Sequence, residues 1–256
     1  VLDQPDLAGW HSWINSVYEP SFGVGYVFLA NLMASALTLL FLLPQLRAFR
    51  LQFDRQLISQ MLQYALPLVA VGVAGMINES IDRILLRQLL PYDAEKNLAQ
   101  VGIYSACYKL SIFMTLIVQA FRYAAEPQFF AESRRQPDPK PYYAQVMTYF
   151  VAFGGFIFLG VTGLLNLLKF MIAPAYHAGL HIVPILLLAN LMLGMYFNLS
   201  IWYKLTERNR TGALIAFLGA LVTVILNIAL IPVIGYTGSA LATLASYLLM
   251  VITSYT

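Results

Sequence analysis

The stretch from Tyr64 to Leu90 most constrains the fold, because it places charged residues inside an otherwise apolar helix. It opens with the run YALPLVAVGVAGMI of 14 residues, which extends roughly 21 Å at about 1.5 Å per residue. A helix needs around 20 residues to cross a hydrocarbon core of about 30 Å. The polar residues that follow, from Asn78 to Arg83, therefore lie at membrane depth, where charged side chains usually mark a functional site.

The composition of the chain is typical of a membrane protein. Hydrophobic residues make up 60% of it and charged residues only 11%, and a soluble core of this size cannot bury so much apolar surface. Several apolar runs approach the length of a bilayer span, so we predict an all-α fold, a polytopic transmembrane bundle of about seven helices. The net charge of +3 does not indicate nucleic-acid binding.

Hydropathy and proline positions divide the chain into four parts. Residues 1–22 form a polar and aromatic extracytoplasmic segment, and residues 23–44 a first span that stops at Pro44. Residues 45–63 carry apolar side chains at helical spacing, which predicts an amphipathic helix at the cytoplasmic interface, with a solvated loop as the alternative. Residues 64–256 contain six further spans and end within an apolar run, so we expect a fragment cut at both ends. The predicted spans are 64–90, 101–124, 143–168, 179–203, 211–231 and a last one that begins near residue 235.

Lysine and arginine residues alternate between successive loops. The first, third and fifth loops together carry nine of them, whereas the second and fourth carry two and the sixth carries none. The positive-inside rule then places the odd loops in the cytoplasm. The alternation supports seven spans, since a missed or additional span would disrupt it.

Charged residues of the second and third spans are the candidate site. Glu79, Arg83 and Arg87 share one stripe of a helix, and Asn78 and Asp82 form a neighbouring stripe. Lys109 lies about 12 Å into the third span, close to the depth of Asp82.

Two interpretations of these charges stay open. In the functional one, Arg83, Arg87 and Lys109 line a water-filled cavity and bind an anionic substrate group, while Glu79 and Asp82 face the same cavity. In the structural one, Glu79 pairs with Arg83 and Asp82 with Lys109, because a pair is less costly in lipid than a lone charge. Arg87 then extends to the headgroups.

Enzymatic chemistry is not indicated. Cys107 is the single cysteine, and His177 and His181 lie at a helix entrance without convincing metal-ligand spacing. We predict no catalytic residues, no metal site, no cofactor and no enzymatic activity. A polytopic glycosyltransferase or ligase is a distant alternative, because such enzymes place acid–base or metal-binding residues in sizeable outer loops, and the loops between the spans on that side are about ten residues or shorter.

Two long segments carry a resemblance to a known family. PLVAVGVAGMINESIDRILLRQLL (67–90), followed by VGIYSACYKLSIFMTLIVQAF (101–121) and a P-Q-F-F loop, resembles the start of the second lobe of bacterial polysaccharide flippases. Residues 175–247 are similar to the C-terminal segment of that family, with Asn227, Pro232 and the Gly235-x-x-Gly238 turn as their most specific features. The family belongs to the multidrug/oligosaccharidyl-lipid/polysaccharide (MOP) exporter superfamily.

The resemblance implies two six-helix lobes around a central cavity that work by alternating access. Residues 23–44 would be the last helix of the first lobe, residues 45–63 the linker, and residues 64–256 a truncated second lobe. The substrates of the family are undecaprenyl-pyrophosphate-linked oligosaccharides, which are flipped to the outer leaflet for O-antigen, lipopolysaccharide or other surface polysaccharide synthesis. Arg83, Arg87 and Lys109 would face the pyrophosphate.

The predicted function is thus a lipid-linked oligosaccharide flippase, a multi-pass protein of the bacterial inner (plasma) membrane. Its expected partners are the lipid-linked substrate, the bilayer and a coupling ion, either a proton or sodium. The main alternative is an ion-coupled exporter of drugs or lipid II in the same superfamily, with Glu79 and Asp82 as coupling carboxylates.

Overall fold

The computed structural model describes residues 22–23, 25–47, 54–135, 138–206 and 208–255. Within α1 and α2, and at residue 209, some side chains also lie outside the description, including those of Asn78 and Glu79. The described residues are helical with short turns and contain no strand. The helices are α1 (Gly25–Arg47), α2 (Arg55–Leu89), α3 (Ala94–Leu110), α4 (Ile112–Arg135), α5 (Lys140–Gly163), α6 (Leu165–Leu168), α7 (Val183–Leu205), α8 (Asn209–Ile234) and α9 (Tyr236–Tyr255), with 3₁₀ segments at Lys169–Met171 and Pro174–Ile182.

The helices establish an all-α multi-pass membrane protein. Among the described residues, five helices are long and apolar enough to cross a membrane, and a sixth span results if the bent pair α3–α4 is counted as one. Each of the seven predicted spans overlaps one or more helices, although α2 is not among those that meet the length and composition criterion. A helical bundle suits a lipid environment, because lipid offers no hydrogen bonds to the backbone and a helix satisfies its own backbone groups.

The chain separates by internal contacts into two units, Val1–Ile58 and Ser59–Thr256. The first unit contains α1, whose helix passes Pro44 and ends at Arg47, so the predicted stop at Pro44 is wrong. Residues 55–63, predicted to be interfacial, begin the same continuous helix as residues 64–89. The predicted extracytoplasmic segment 1–21 and residues 48–53 of the linker lie outside the described residues, and the lobe boundaries stay predictions.

The third predicted span is broken. Helices α3 and α4 meet at Ser111 with a bend of 49°, and the Ser111 hydroxyl bonds back to the carbonyl of Tyr108 at 2.7 Å. Helix α4 then continues through Pro127 to Arg135, where the sequence predicted an aqueous loop. A proline removes one helical hydrogen bond, and a membrane helix tolerates this when neighbouring groups replace it.

Contacts between helix ends place the loops in two groups. At one end, the Lys204 ammonium donates to the Glu126 carboxylate, which ties α7 to α4. At the other end, Asn97 donates to the carbonyl of Leu90 at 3.0 Å, and His181 contacts the Thr237 hydroxyl at 3.0 Å. From α2 onward, successive loops therefore alternate between the two ends, and the positive-inside prediction would place the basic end, which carries Lys204, in the cytoplasm.

Candidate functional site

Asp82 of α2 is the most deeply buried charged residue described, with 1% of its surface exposed. Its Oδ2 atom lies 2.8 Å from the Tyr104 hydroxyl of α3 and 2.8 Å from the Thr243 hydroxyl of α9. Its Oδ1 atom accepts a hydrogen bond of 3.0 Å from the side-chain amide of Asn227 in α8. Four helices thus meet at one carboxyl group, which we call the Asp82 site (Asp82, Tyr104, Asn227 and Thr243).

The Asp82 site has more hydrogen-bond acceptors than the described donors can satisfy, so it can accept one more proton or cation. The Thr243 hydroxyl lies 3.0 Å from the Ser239 carbonyl as well as 2.8 Å from Asp82, yet a hydroxyl has a single proton to donate. The Asn227 side-chain oxygen is buried and accepts no hydrogen bond from any residue in the described part of the chain. Buried polar atoms are normally satisfied, so this arrangement suits a proton on Asp82, or a small cation coordinated by oxygen atoms.

Close packing of α8 against α9 brings Asn227 and Thr243 together. Gly235, at φ +62, ends α8, a conformation that glycine adopts without steric cost. A Cβ atom at Gly238 would lie 2.7 Å from the backbone of Leu230, so the two helices touch there. Ser246 donates to the carbonyl of Gly219 at 2.7 Å farther along. Small residues of α9 therefore form a packing surface against α8, although Ala245 among them is exposed.

The three predicted cations lie outside this buried site. Arg83 is half-buried, with its guanidinium carbon 4.9 Å from the centre of the Tyr108 ring, a distance typical of cation–π contact. Arg87 and Lys109 are exposed. Since Lys109 follows Tyr108 directly, the contact places Arg83 beside the α3 segment that carries Lys109. We call Arg83, Arg87 and Lys109 the cationic patch.

The structural alternative for Asp82 is not observed. Its carboxylate is held by Tyr104, Asn227 and Thr243, whereas Lys109 is exposed, so the predicted Asp82–Lys109 pair is wrong. Equal depth along two helices does not fix which faces meet. The Glu79–Arg83 pair and the polar neighbour Asn78 involve side chains outside the description, and they stay predictions.

Two ion pairs lie near the basic end. Glu126 pairs with Lys204 and, at 3.9 Å, with Arg122. The Arg122 guanidinium also lies 4.7 Å from the ring centre of Phe197.

The two histidines considered for a metal site contact oxygen atoms of the protein. His177 contacts the Lys169 carbonyl at 2.9 Å, and His181 contacts the Thr237 hydroxyl at 3.0 Å.

The sequence missed the partners of Asp82. From the sequence, Tyr104 and Asn227 belong only to segments that resemble the flippase family, and Thr243 has no predicted role. The available signal was a set of polar residues that lie within apolar spans, because buried polar groups need partners in lipid.

Comparisons with known proteins agree with this fold. No protein-family model matches the chain, and no curated protein matches it. Among solved structures, the chain is similar to one described as the outward-facing conformation of a multidrug resistance MATE family transporter of the MOP superfamily, with 18% identity and a TM-score of 0.58. The match covers 76% of this chain and 42% of that one, so the chain spans less than half of that transporter. At this identity the likeness establishes a shared helical fold.

Proposed function

We propose that this chain is part of a membrane transporter that flips an undecaprenyl-pyrophosphate-linked oligosaccharide to the outer leaflet. The observation that carries the proposal is the cationic patch, three basic side chains on two adjoining helices of a membrane bundle. Charges in a membrane segment are costly and are retained mainly for function. Their sign suits a pyrophosphate, which lysine and arginine bind through charge-assisted hydrogen bonds.

Substrate movement by the full-length protein in liposomes tests this proposal. Arg83→Gln and Lys109→Gln each remove one cation at similar size. We expect each to slow flipping of a fluorescent pyrophosphate-linked oligosaccharide about tenfold or more, because a charge-assisted hydrogen bond contributes about 1.5–3 kcal/mol. Lys96→Gln is the matched control, since Lys96 is an exposed lysine of α3 outside the patch. Flipping at the wild-type rate in both patch variants would exclude the patch from the substrate path.

The Asp82 site supports a second candidate, an ion-coupled exporter of drugs or lipid II. In this candidate Asp82 is the coupling carboxylate, which takes up a proton or sodium during the transport cycle. The supporting observations are the burial of Asp82, the Thr243 hydroxyl shared between two acceptors, and the unpaired Asn227 oxygen. The fold of the drug transporter noted above is equally consistent with this candidate.

Gradient dependence tests the role of Asp82, and the substrate that moves separates the two candidates. We expect Asp82→Asn to keep substrate binding but to lose the stimulation of transport by a proton or sodium gradient. Imposing each gradient alone identifies the ion. Stimulation that persists unchanged in Asp82→Asn would assign the carboxylate a structural role. Gradient-driven transport of a drug by the wild-type protein, without movement of the lipid-linked sugar, would favour the exporter over the flippase.

A further inference from the structure

A cavity of about 850 Å³ lies near the basic end of the bundle, away from both the Asp82 site and the cationic patch. It is formed where the last turns of α4, α7 and α9 meet the first turns of α5. Its walls are mainly apolar and aromatic, with Phe129, Met147, Met195, Leu199 and Val251 among them. Ligand pockets of proteins usually measure about 300–1,000 Å³ and combine apolar walls with a few polar groups.

Two polar atoms in the wall of this cavity have no hydrogen-bond partner among the described residues. The side-chain nitrogen of Asn198 and the hydroxyl of Ser254 are buried, and neither forms a hydrogen bond with any residue that the structure describes. By contrast, the Tyr143 hydroxyl, also in the wall, bonds to the Phe129 carbonyl at 3.2 Å. Since buried donors are normally paired, Asn198 and Ser254 indicate a ligand that offers hydrogen-bond acceptors.

The mouth of the cavity is positively charged. Lys140 belongs to the lining and is exposed, and within the described ranges it forms no ion pair. Asp138 lies nearby, but its carboxylate contacts the backbone nitrogen of Lys140 at 3.4 Å. Arg134 and Arg135 lie in the last turn of α4, the helix that contributes Phe129 to the wall, and Glu132 precedes them. The local balance therefore favours an anion.

We propose that this cavity binds one anionic amphiphile from the lipid phase. Its phosphate pairs with Lys140 and accepts a hydrogen bond from Asn198, and its hydrocarbon chain lies along Met147, Met195 and Leu199. The exposed Trp202 and Ile252 at the edge present apolar surface to an entering chain. A phospholipid and a polyprenyl phosphate share this chemistry. The site is separate from the cationic patch, so it does not depend on the proposed substrate.

Native mass spectrometry of the full-length protein in detergent tests the site. Phosphatidylglycerol, phosphatidylcholine and a polyprenyl phosphate are added separately at equal concentration. We expect wild type to retain an anionic lipid at least fivefold more than phosphatidylcholine. Lys140→Gln should remove that preference, and Asn198→Leu should weaken retention of the anionic lipid. Retention of phosphatidylglycerol identifies a phospholipid site, and retention of the polyprenyl phosphate alone identifies a carrier-lipid site.

Two controls keep the test decisive. Lys96→Gln removes an exposed lysine outside the cavity and should leave the lipid preference unchanged. Ala144→Trp fills the cavity from its exposed edge and should abolish retention of every lipid. If that variant does not fold, the comparison of Lys140→Gln with Lys96→Gln still decides. Equal retention of phosphatidylcholine and the anionic lipids by wild type, or an unchanged preference in Lys140→Gln, overturns the proposal.

Discussion

Asp82 shows how one buried carboxyl group organises side chains from distant parts of the sequence. Its partners Tyr104, Asn227 and Thr243 lie 22, 145 and 161 residues away. Periodicity located Asp82 at membrane depth, because that needs only the length of an apolar run. It did not identify the partners, because face-to-face pairing depends on how α2, α3, α8 and α9 rotate about their axes.

Two replacements of Asp82 should differ in stability. Asp82→Asn keeps a hydrogen-bonding side chain of the same shape, so its melting temperature should lie close to that of wild type. Asp82→Leu removes the three hydrogen bonds that the carboxyl group forms with Tyr104, Asn227 and Thr243. Interhelical hydrogen bonds in membranes contribute about 0.6 kcal/mol each, so we expect a loss of about 2 kcal/mol and a melting temperature lower by about 4–8 °C. Equal melting of the two variants would show that these bonds contribute little.

The α8–α9 turn is the element that sets the geometry of the Asp82 site. Helix α8 carries Asn227 and α9 carries Thr243, and the approach at Gly238 fixes their separation. The sequence predicted the Gly235-x-x-Gly238 turn, because glycines are local signals of a turn. It ended predicted spans at Pro44 and at residue 124, whereas both helices continue, because in lipid a proline does not by itself end a helix.

Adding one methyl group at Gly238 should loosen this element. In Gly238→Ala the new Cβ would lie 2.7 Å from the Leu230 backbone, so α9 must shift, which costs about 1–3 kcal/mol. Thermal unfolding of the full-length protein in detergent measures the effect. Gly160→Ala in α5 is the matched control, because a Cβ atom there meets nothing within 4 Å. Equal melting temperatures for the two variants would contradict close packing at the turn.

A side-chain hydrogen bond ties the break between α3 and α4 to α7. Asn190 donates to the Ser111 hydroxyl at 3.2 Å, and both residues are buried. We expect a double-mutant cycle of Ser111→Ala and Asn190→Ala to give a coupling energy of about 0.6 kcal/mol in thermal unfolding. A coupling energy of zero would show that the bend is held by packing alone.

At the scale of the whole molecule, hydropathy predicted an all-α bundle and the order of its helices, although five or six described helices, and not seven, meet the criterion for a membrane span. Hydropathy acts over whole spans, so small errors at helix ends do not alter this signal. The bend within the third span had no comparable signal, since Ser111 is an ordinary polar residue in an apolar run. The cavity near Lys140 was also missed, because four separated helix ends build it.

The orientation of the bundle is directly measurable. Single cysteines at positions 140 and 96 replace exposed lysines at opposite ends, in a Cys107→Ser background. We expect a membrane-impermeant thiol reagent, added to intact cells, to label position 96 and to reach position 140 only after the membrane is opened. The reverse pattern would invert the topology and place the Lys140 cavity in the outer leaflet.

The long sequence separation between Asp82 and its partners has a consequence for biosynthesis. Thr243 is added 161 residues after Asp82, which at about 5–20 residues per second corresponds to about 8–32 seconds of translation. During that interval α2 is already made while two of the three side chains that hold its carboxyl group do not yet exist. Helix α2 can therefore reach its final packing only after α9 is complete. A ribosome that stalls within α8 leaves a nascent chain in which Asp82 lacks these partners and is accessible to membrane-protein quality control.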